Sequence, residues 1–133
     1  MRVGKLLLVL AVACAGFAFA SMPIQKQNAE QIARGRKLFG NYCASCHGAD
    51  ATGNGPVANS LKALPSDLTR IQTKSGKFSA EDVRKKIAGS PDLMVHGRKD
   101  MPVWGMIFSP ADITNLVKYL ESIQRPFAPQ PAG

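Results

Sequence analysis

The stretch Cys43-Ala44-Ser45-Cys46-His47 has the pattern C-x-x-C-H and decides how the rest of the 133-residue chain is interpreted. It holds two of the three cysteines and one of the two histidines of the sequence. Two thiols at this spacing lie about one helical turn apart, and the histidine follows the second of them directly. The clustering indicates one shared site for both thiols and the imidazole.

C-x-x-C-H is the attachment sequence of a c-type haem. Each cysteine forms a thioether with one vinyl group, and the histidine is the proximal iron ligand. The sequence therefore predicts that Cys43 and Cys46 bind one haem c covalently and that His47 ligates its iron. Three other interpretations remain. A zinc site needs about four ligands, and His96 is the only further obvious candidate. A thioredoxin-like pair requires a βαβ context that the sequence lacks, and a short-loop disulfide is the third alternative.

The first twenty residues predict export. Two basic residues precede an apolar run at residues 6–20, which is the pattern of a secretory signal peptide. We interpret residues 1–20 as a signal peptide that is cleaved after Ala20, with a lipid-anchored N-terminus at Cys14 as the alternative. A helix over the apolar run would be about 22 Å long, shorter than the roughly 30 Å hydrocarbon core of a membrane. No transmembrane segment is expected in the mature chain.

The charge of the chain restricts the partners. Seventeen Lys and Arg stand against nine Asp and Glu, a formal charge of +8, and removal of residues 1–20 leaves 15 basic residues and a charge of +6. Because the chain is predicted to be exported, we do not expect nucleic acid as a partner. A positive surface then favours an acidic patch on another protein.

Turn-forming and helix-capping residues divide the mature chain. Residues 21–27 are interpreted as a linker, residues 28–125 as one domain and residues 126–133 as a Pro-rich tail. Within the domain the patterns predict four helices and no strand. Asn28 caps the first helix, residues 56–61 form a short second one, and Ser79 and Ser109 cap the third and fourth. The apolar faces are Ile32, Gly35, Phe39 and Tyr42 in the first helix, Val83 and Ile87 in the third, and Ile113, Leu116, Val117, Leu120 and Ile123 in the fourth.

The chain resembles a class I cytochrome c over roughly residues 28–124. The resemblance rests on the C-x-x-C-H motif after an N-terminal helix, Met-Pro-Val-Trp-Gly at residues 101–105, and a C-terminal helix after them. It implies an all-α cytochrome c fold, with three to five helices and long loops wrapped around one covalently bound haem. The chain is most similar to small bacterial periplasmic cytochromes and to haem domains of bacterial dehydrogenases and oxidases.

The resemblance places the distal iron ligand at Met101. A thioether is a soft, neutral ligand that favours ferrous iron and so raises the reduction potential. Spacing alone leaves Met94 and His96 as competitors, because they precede Met101 in the same predicted loop. His96 is otherwise either a pH-sensitive group near the haem edge or an exposed loop residue.

The resemblance also implies contacts around the haem. The carbonyl of Pro56 is expected to accept the Nδ1 proton of His47 and to fix the ring. Trp104 either donates its indole N–H to a haem propionate or is part of the core. The terminal helices are expected to meet, with Gly35 and Phe39 facing Leu116, Tyr119 and Leu120.

These assignments predict an electron carrier and not an enzyme. With His47 and Met101 on both axial positions, the iron has no open site for oxygen, peroxide or substrate. Redox partner proteins are expected to dock briefly at the exposed haem edge, and the basic residues predict an acidic docking patch on them. The alternatives are a haem-bearing electron-transfer subunit of a multi-subunit dehydrogenase or oxidase, and an open-site haem peroxidase or gas sensor.

Overall fold

The computed structural model of the chain describes residues 22–71, 76–89 and 101–125. Within these ranges the protein is helical and contains no strand, which confirms the all-α class. The α-helices are α1 (Met22–Tyr42), α2 (Ala44–His47), α3 (Ala80–Ala88) and α4 (Pro110–Ser122), and single 3₁₀ turns lie at Ala58–Ser60, Leu68–Arg70 and Trp104–Met106. The predictions for the signal peptide, the C-terminal tail, Met94 and His96 lie outside the described residues.

α1 begins at Met22, so the predicted N-cap at Asn28 was wrong, and residues 22–27 are helical although they were interpreted as a linker. Pro23 falls in the first turn of α1, where a missing backbone N–H removes no helical hydrogen bond. The six residues that follow contain no helix breaker. Residues 24–30 of α1 are exposed.

The two C-terminal helices begin where their capping residues predicted. Ser109 Oγ accepts from Asp112 N at 3.2 Å, and Asp112 Oδ2 accepts in return from Ser109 N at 3.1 Å. Ser79 Oγ accepts from Asp82 N at 3.2 Å at the start of α3. Gly89 ends that helix with φ +78°, a conformation that suits glycine. Local side-chain chemistry fixes these boundaries.

α1 and α4 cross at Gly35, where only a hydrogen atom separates the two backbones. A Cβ at this position would lie 2.6 Å from Asn115 C and 2.8 Å from Tyr119 Cβ. The ring of Phe39 lies one turn further along α1 and packs on Tyr119 with centroids 5.3 Å apart. The predicted contact of Gly35 and Phe39 with Tyr119 is therefore confirmed.

α3 completes the core by packing against α4 and against the turn Trp104–Met106. Arg84 Nη1 donates to Thr114 Oγ1 at 3.0 Å at the edge of the α3–α4 contact. The predicted apolar face of α4 is buried except for Ile123, which is half-buried. The buried core consists of Phe39, Ala51, Val83, Ile87, Phe108, Ile113, Leu116, Val117, Tyr119 and Leu120.

Candidate functional site

The C-x-x-C-H motif forms a helical turn at the end of α1. Cys43 N donates to Phe39 O at 2.9 Å, and His47 N donates to Cys43 O at 2.9 Å. Cys43 lies one turn after the core residue Phe39 and is the N-cap of the short helix α2. Cys46 and His47 lie within that helix. Neither cysteine is part of a disulfide, and each is half-buried.

The loop after the motif folds back onto α2. Its backbone N–H groups donate to three α2 carbonyls at 2.8 to 3.1 Å, Gly53 to His47, Gly55 to Cys46 and Val57 to Ser45. A Cβ at position 55 would lie 2.6 Å from Cys46 O, so only glycine fits there. Leu61 is extended with ψ 148°, which stops helix growth. The short helix predicted over residues 56–61 was wrong, and only the turn Ala58–Ser60 forms.

The imidazole of His47 is oriented by a backbone carbonyl, but not by the expected one. Nδ1 of His47 lies 3.1 Å from the carbonyl oxygen of Ser66, so the prediction of Pro56 as its partner was wrong. Because a carbonyl oxygen only accepts, Nδ1 carries the proton and Nε2 keeps its lone pair. This is the tautomer that a metal ligand requires.

Ser66 precedes a segment that is held against the motif loop. Leu68 N donates to Ala51 O at 2.8 Å. Asp67 caps the next turn by accepting from Thr69 N at 2.8 Å and from Thr69 Oγ1 at 2.6 Å, and these bonds lower the pKa of the Asp67 carboxyl. Sequence reasoning missed Ser66 because its contribution is a backbone oxygen, which leaves no side-chain signal in the sequence.

The surroundings of the motif disfavour charge. Burial, and to a smaller degree the neighbouring Cys46, raises the pKa of the Cys43 thiol to about 11. Burial also lowers the pKa of His47, against the opposing effect of the hydrogen bond to Ser66. The surroundings of the motif therefore stabilise a neutral thiol or thioether and a neutral imidazole.

The segment that begins at Met101 is fixed against the end of α3 by two glycines. A Cβ at Gly89 would lie 2.9 Å from Val103 Cγ2, and a Cβ at Gly105 would lie 3.1 Å from Ala88 Cα. Met101, at the start of this segment, is 41% exposed. Gly89 and Gly105 are the sequence signal for this contact, but their spacing along the chain does not show that the two segments meet.

Three aromatic rings join the Met101 segment to the motif. Trp104 stacks on Phe108 with centroids 5.0 Å apart and planes at 10°, and Tyr42 meets the edge of both rings at 5.7 and 5.1 Å. Since Tyr42 directly precedes Cys43, the cluster brings the two ends of the predicted site together. Trp104 is half-buried and packs against the buried core, and its contact with a propionate stays a prediction.

Other kinds of site find no support in the described part of the chain. Residues 22–71, 76–89 and 101–125 contain no group of three or more His, Cys, Asp or Glu side chains able to hold a metal ion. None of the described helices is long and apolar enough to cross a membrane. The motif, the Ser66 segment and the Met101 segment therefore define the candidate site.

The chain matches the model of a known protein family. The family model described as Cytochrome c matches residues 32–124, which is well over half of the 133 residues. No solved structure matches the chain at a significant level. The matched range runs from the middle of α1 to two residues past α4 and includes the whole candidate site.

Proposed function

The chain belongs to the cytochrome c family, and from this premise we propose that it is a periplasmic one-electron carrier whose haem iron is ligated by His47 and Met101. Membership of the family implies one covalently bound haem c with its iron and a role in electron transfer. The location is supported by the signal-peptide pattern of residues 1–20, with cleavage after Ala20.

The residues around the motif fit a haem. Two cysteines outside any disulfide and a neutral imidazole with its lone pair on Nε2 are the donor set that a c-type haem needs. The structure also leaves large apolar side chains in contact with water near both ends of the site. Those exposed on the described part of the chain include Tyr42, Val57, Leu64, Met101, Val103, Met106 and Ile107. A flat apolar cofactor would cover part of this surface, which otherwise costs free energy in water.

Each residue of the site then has a separate task. Cys43 and Cys46 would hold the cofactor, His47 would bind the iron through Nε2, and the Ser66 carbonyl keeps that ring in place. Met101 would be the second protein ligand, and a bound haem would supply reversible one-electron chemistry at its iron. With two side chains as ligands, the iron would offer no position for a substrate. The protein would therefore accept and release an electron without making or breaking a bond.

One observation carries the proposal. The two thiols and His47 lie in one helical turn, and the Nδ1 hydrogen bond to Ser66 leaves Nε2 as the free nitrogen of the ring. A disulfide would not need an oriented histidine. A structural zinc site would need further ligands, and the described residues offer none in a cluster.

Substitution of Met101 with alanine tests the distal ligand. We expect the ferric protein to show the weak far-red absorption band of sulfur-ligated haem and the Met101→Ala variant to lose it. The reduction potential should fall by on the order of 0.2 V, because axial ligands set haem potentials over a range of about 0.8 V. The measurements are the optical spectrum and a potentiometric titration of the purified holoprotein.

Met106→Ala is the matched control for this test. Met106 lies five positions further along and is 90% exposed, so its removal takes away a methionine other than the proposed ligand and should leave the far-red band in place. If the unsubstituted protein lacks the far-red band, Met101 is not bound to the iron, and a His96-ligated or open haem replaces the carrier hypothesis.

The net positive charge predicts that docking depends on salt. Exposed lysines in the described part of the chain include Lys62, Lys77, Lys85 and Lys86. If the redox partner presents an acidic patch, the second-order rate of electron transfer should fall by at least about tenfold as ionic strength rises from about 0.01 M to 0.2 M. Stopped-flow kinetics at several salt concentrations measures this. A small uncharged reductant should show no such dependence, and a flat profile with the protein partner would contradict electrostatic steering.

A further inference from the structure

The side chain of Gln124 joins the end of α4 to the segment that carries Ser66. Its Nε2 donates to Leu68 O at 2.8 Å and to Leu120 O at 2.7 Å. Its Oε1 accepts from Ile71 N at 2.9 Å. Both N–H donors and the oxygen of the amide are therefore used, and only one orientation of the amide satisfies all three bonds.

The neighbouring backbone adds a further bond to the same connection. Arg125 N donates to Thr69 O at 2.9 Å, and Thr69 is almost fully buried. On the other side of the segment, Leu68 N donates to Ala51 O in the motif loop. Residues 68–71 are thus held between the end of α4 and the loop that follows the C-x-x-C-H motif.

This segment determines where the Ser66 carbonyl lies. Ser66 is two residues before Leu68 and accepts the Nδ1 proton of His47 at 3.1 Å. We propose that Gln124 is a positioning residue for the iron ligand His47: its amide fixes residues 68–71 so that the Ser66 carbonyl stays hydrogen-bonded to Nδ1. The inference rests on the proposed function, because it takes His47 as the proximal ligand.

The hydrogen bond has an electronic consequence that a purely structural contact lacks. A carbonyl that accepts from Nδ1 increases the basicity of the ring and makes Nε2 a stronger donor to the metal. A stronger donor favours ferric over ferrous iron. Weakening the bond should therefore raise the reduction potential of the protein and expose the Nδ1 proton to exchange with water.

The test compares Gln124→Leu and Gln124→Glu with Ser122→Ala in the full holoprotein. Leucine removes all three side-chain hydrogen bonds, whereas glutamate keeps an acceptor for Ile71 N and loses the donors to Leu68 O and Leu120 O. Ser122 Oγ donates only to Tyr119 O, at 2.7 Å, at the same end of α4, so its substitution controls for a local loss of helix stability.

The readouts are the midpoint potential and the exchange rate of the His47 Nδ1 proton, followed by NMR in the ferrous protein. We expect a positive shift of the potential and about tenfold faster exchange in Gln124→Leu. A change of about tenfold is what loss of the net contribution of one hydrogen bond gives, here the bond from His47 Nδ1 to Ser66 O. Gln124→Glu should also exchange faster, and because its added negative charge lowers the potential by itself, this variant is judged by the exchange rate. Ser122→Ala should match the unsubstituted protein in both readouts. If Gln124→Leu does not fold, the exchange rate of the His47 Nδ1 proton in Gln124→Glu tests the inference alone.

Equal exchange rates in both Gln124 variants and in Ser122→Ala, with equal potentials in Gln124→Leu and Ser122→Ala, would overturn the inference. Failure of the proposed function looks different. It would appear in the unsubstituted protein as a missing far-red band, whereas failure of the inference leaves that band in place and the variants indistinguishable from the control.

Discussion

The substitution Gly35→Ala is expected to lower the free energy of unfolding by about 3 kcal/mol, at the upper end for overpacking. The new Cβ would lie 2.6 Å from Asn115 C and 2.8 Å from Tyr119 Cβ. A backbone carbonyl carbon and a Cβ cannot rotate away, so α1 and α4 must separate. Separation would also loosen the packing of Phe39 on Tyr119, whose rings lie 5.3 Å apart. Guanidinium denaturation of the holoprotein, followed by circular dichroism, measures the change.

Gly40→Ala is the matched control for Gly35→Ala. Gly40 lies in the same helix, and a Cβ there would meet nothing within 4 Å. Alanine in an open helix position stabilises by about 0.5–1 kcal/mol relative to glycine, so the two substitutions should act in opposite directions. A Gly35→Ala protein with the stability of the unsubstituted chain would show that α1 and α4 do not meet at this position.

The elements that sequence reasoning located correctly are those fixed by local chemistry. Ser109, Pro110 and Asp112 make a capping box with a proline in the first turn, and the structure forms both of its hydrogen bonds. Ser79 and Gly89 bound α3 in the same way. Each of these signals involves residues within four positions of each other or of a helix end, so no knowledge of the tertiary structure is needed to interpret them.

The start of α1 was misplaced because its signal is weak. Asn28 has a side chain that suits an N-cap, but the residues before it are also good helix formers. Capping propensity is worth only about 1 kcal/mol, which is not enough to stop a helix whose preceding residues favour continuation. The structure accordingly extends α1 to Met22, with Pro23 in the first turn.

The partner of His47 was misassigned for a different reason. Pro56 lies closer in sequence, but the loop around it uses its N–H groups on the α2 carbonyls. The acceptor is the Ser66 carbonyl, 19 residues after the histidine. Its position depends on contacts with Ala51 and Gln124 that are distant in sequence. A backbone acceptor held by long-range bonds has no motif, and a sequence pattern therefore cannot identify it.

The candidate haem site is built from residues that also pack the fold. The Tyr42, Trp104 and Phe108 rings connect the motif to the Met101 segment, and Cys43 itself packs against the buried core. The fold and the attachment site thus share residues. Loss of the covalent attachment should consequently affect the stability of the domain as well as its redox chemistry.

The double substitution Cys43→Ser, Cys46→Ser is expected to abolish covalent haem attachment completely. These are the only cysteines of residues 21–133, so no thiol remains in the domain to form a thioether. Haem staining after denaturing gel electrophoresis measures the attachment. Each single variant should keep one thioether and stain, with its visible absorption shifted to longer wavelength because one vinyl group stays conjugated with the ring.

The control and the two single variants make this test specific. Ser45 lies between the cysteines, and its Oγ is 3.9 Å from Cys46 Sγ, yet Ser45→Ala keeps both thiols and should stain like the unsubstituted protein. Cys43→Ser should be the less stable single variant, by about 1 kcal/mol, because it places a hydroxyl against the apolar core. An unsubstituted protein that does not stain would contradict the assignment of the motif, since free thiols beside an oriented histidine would then serve some purpose other than haem attachment.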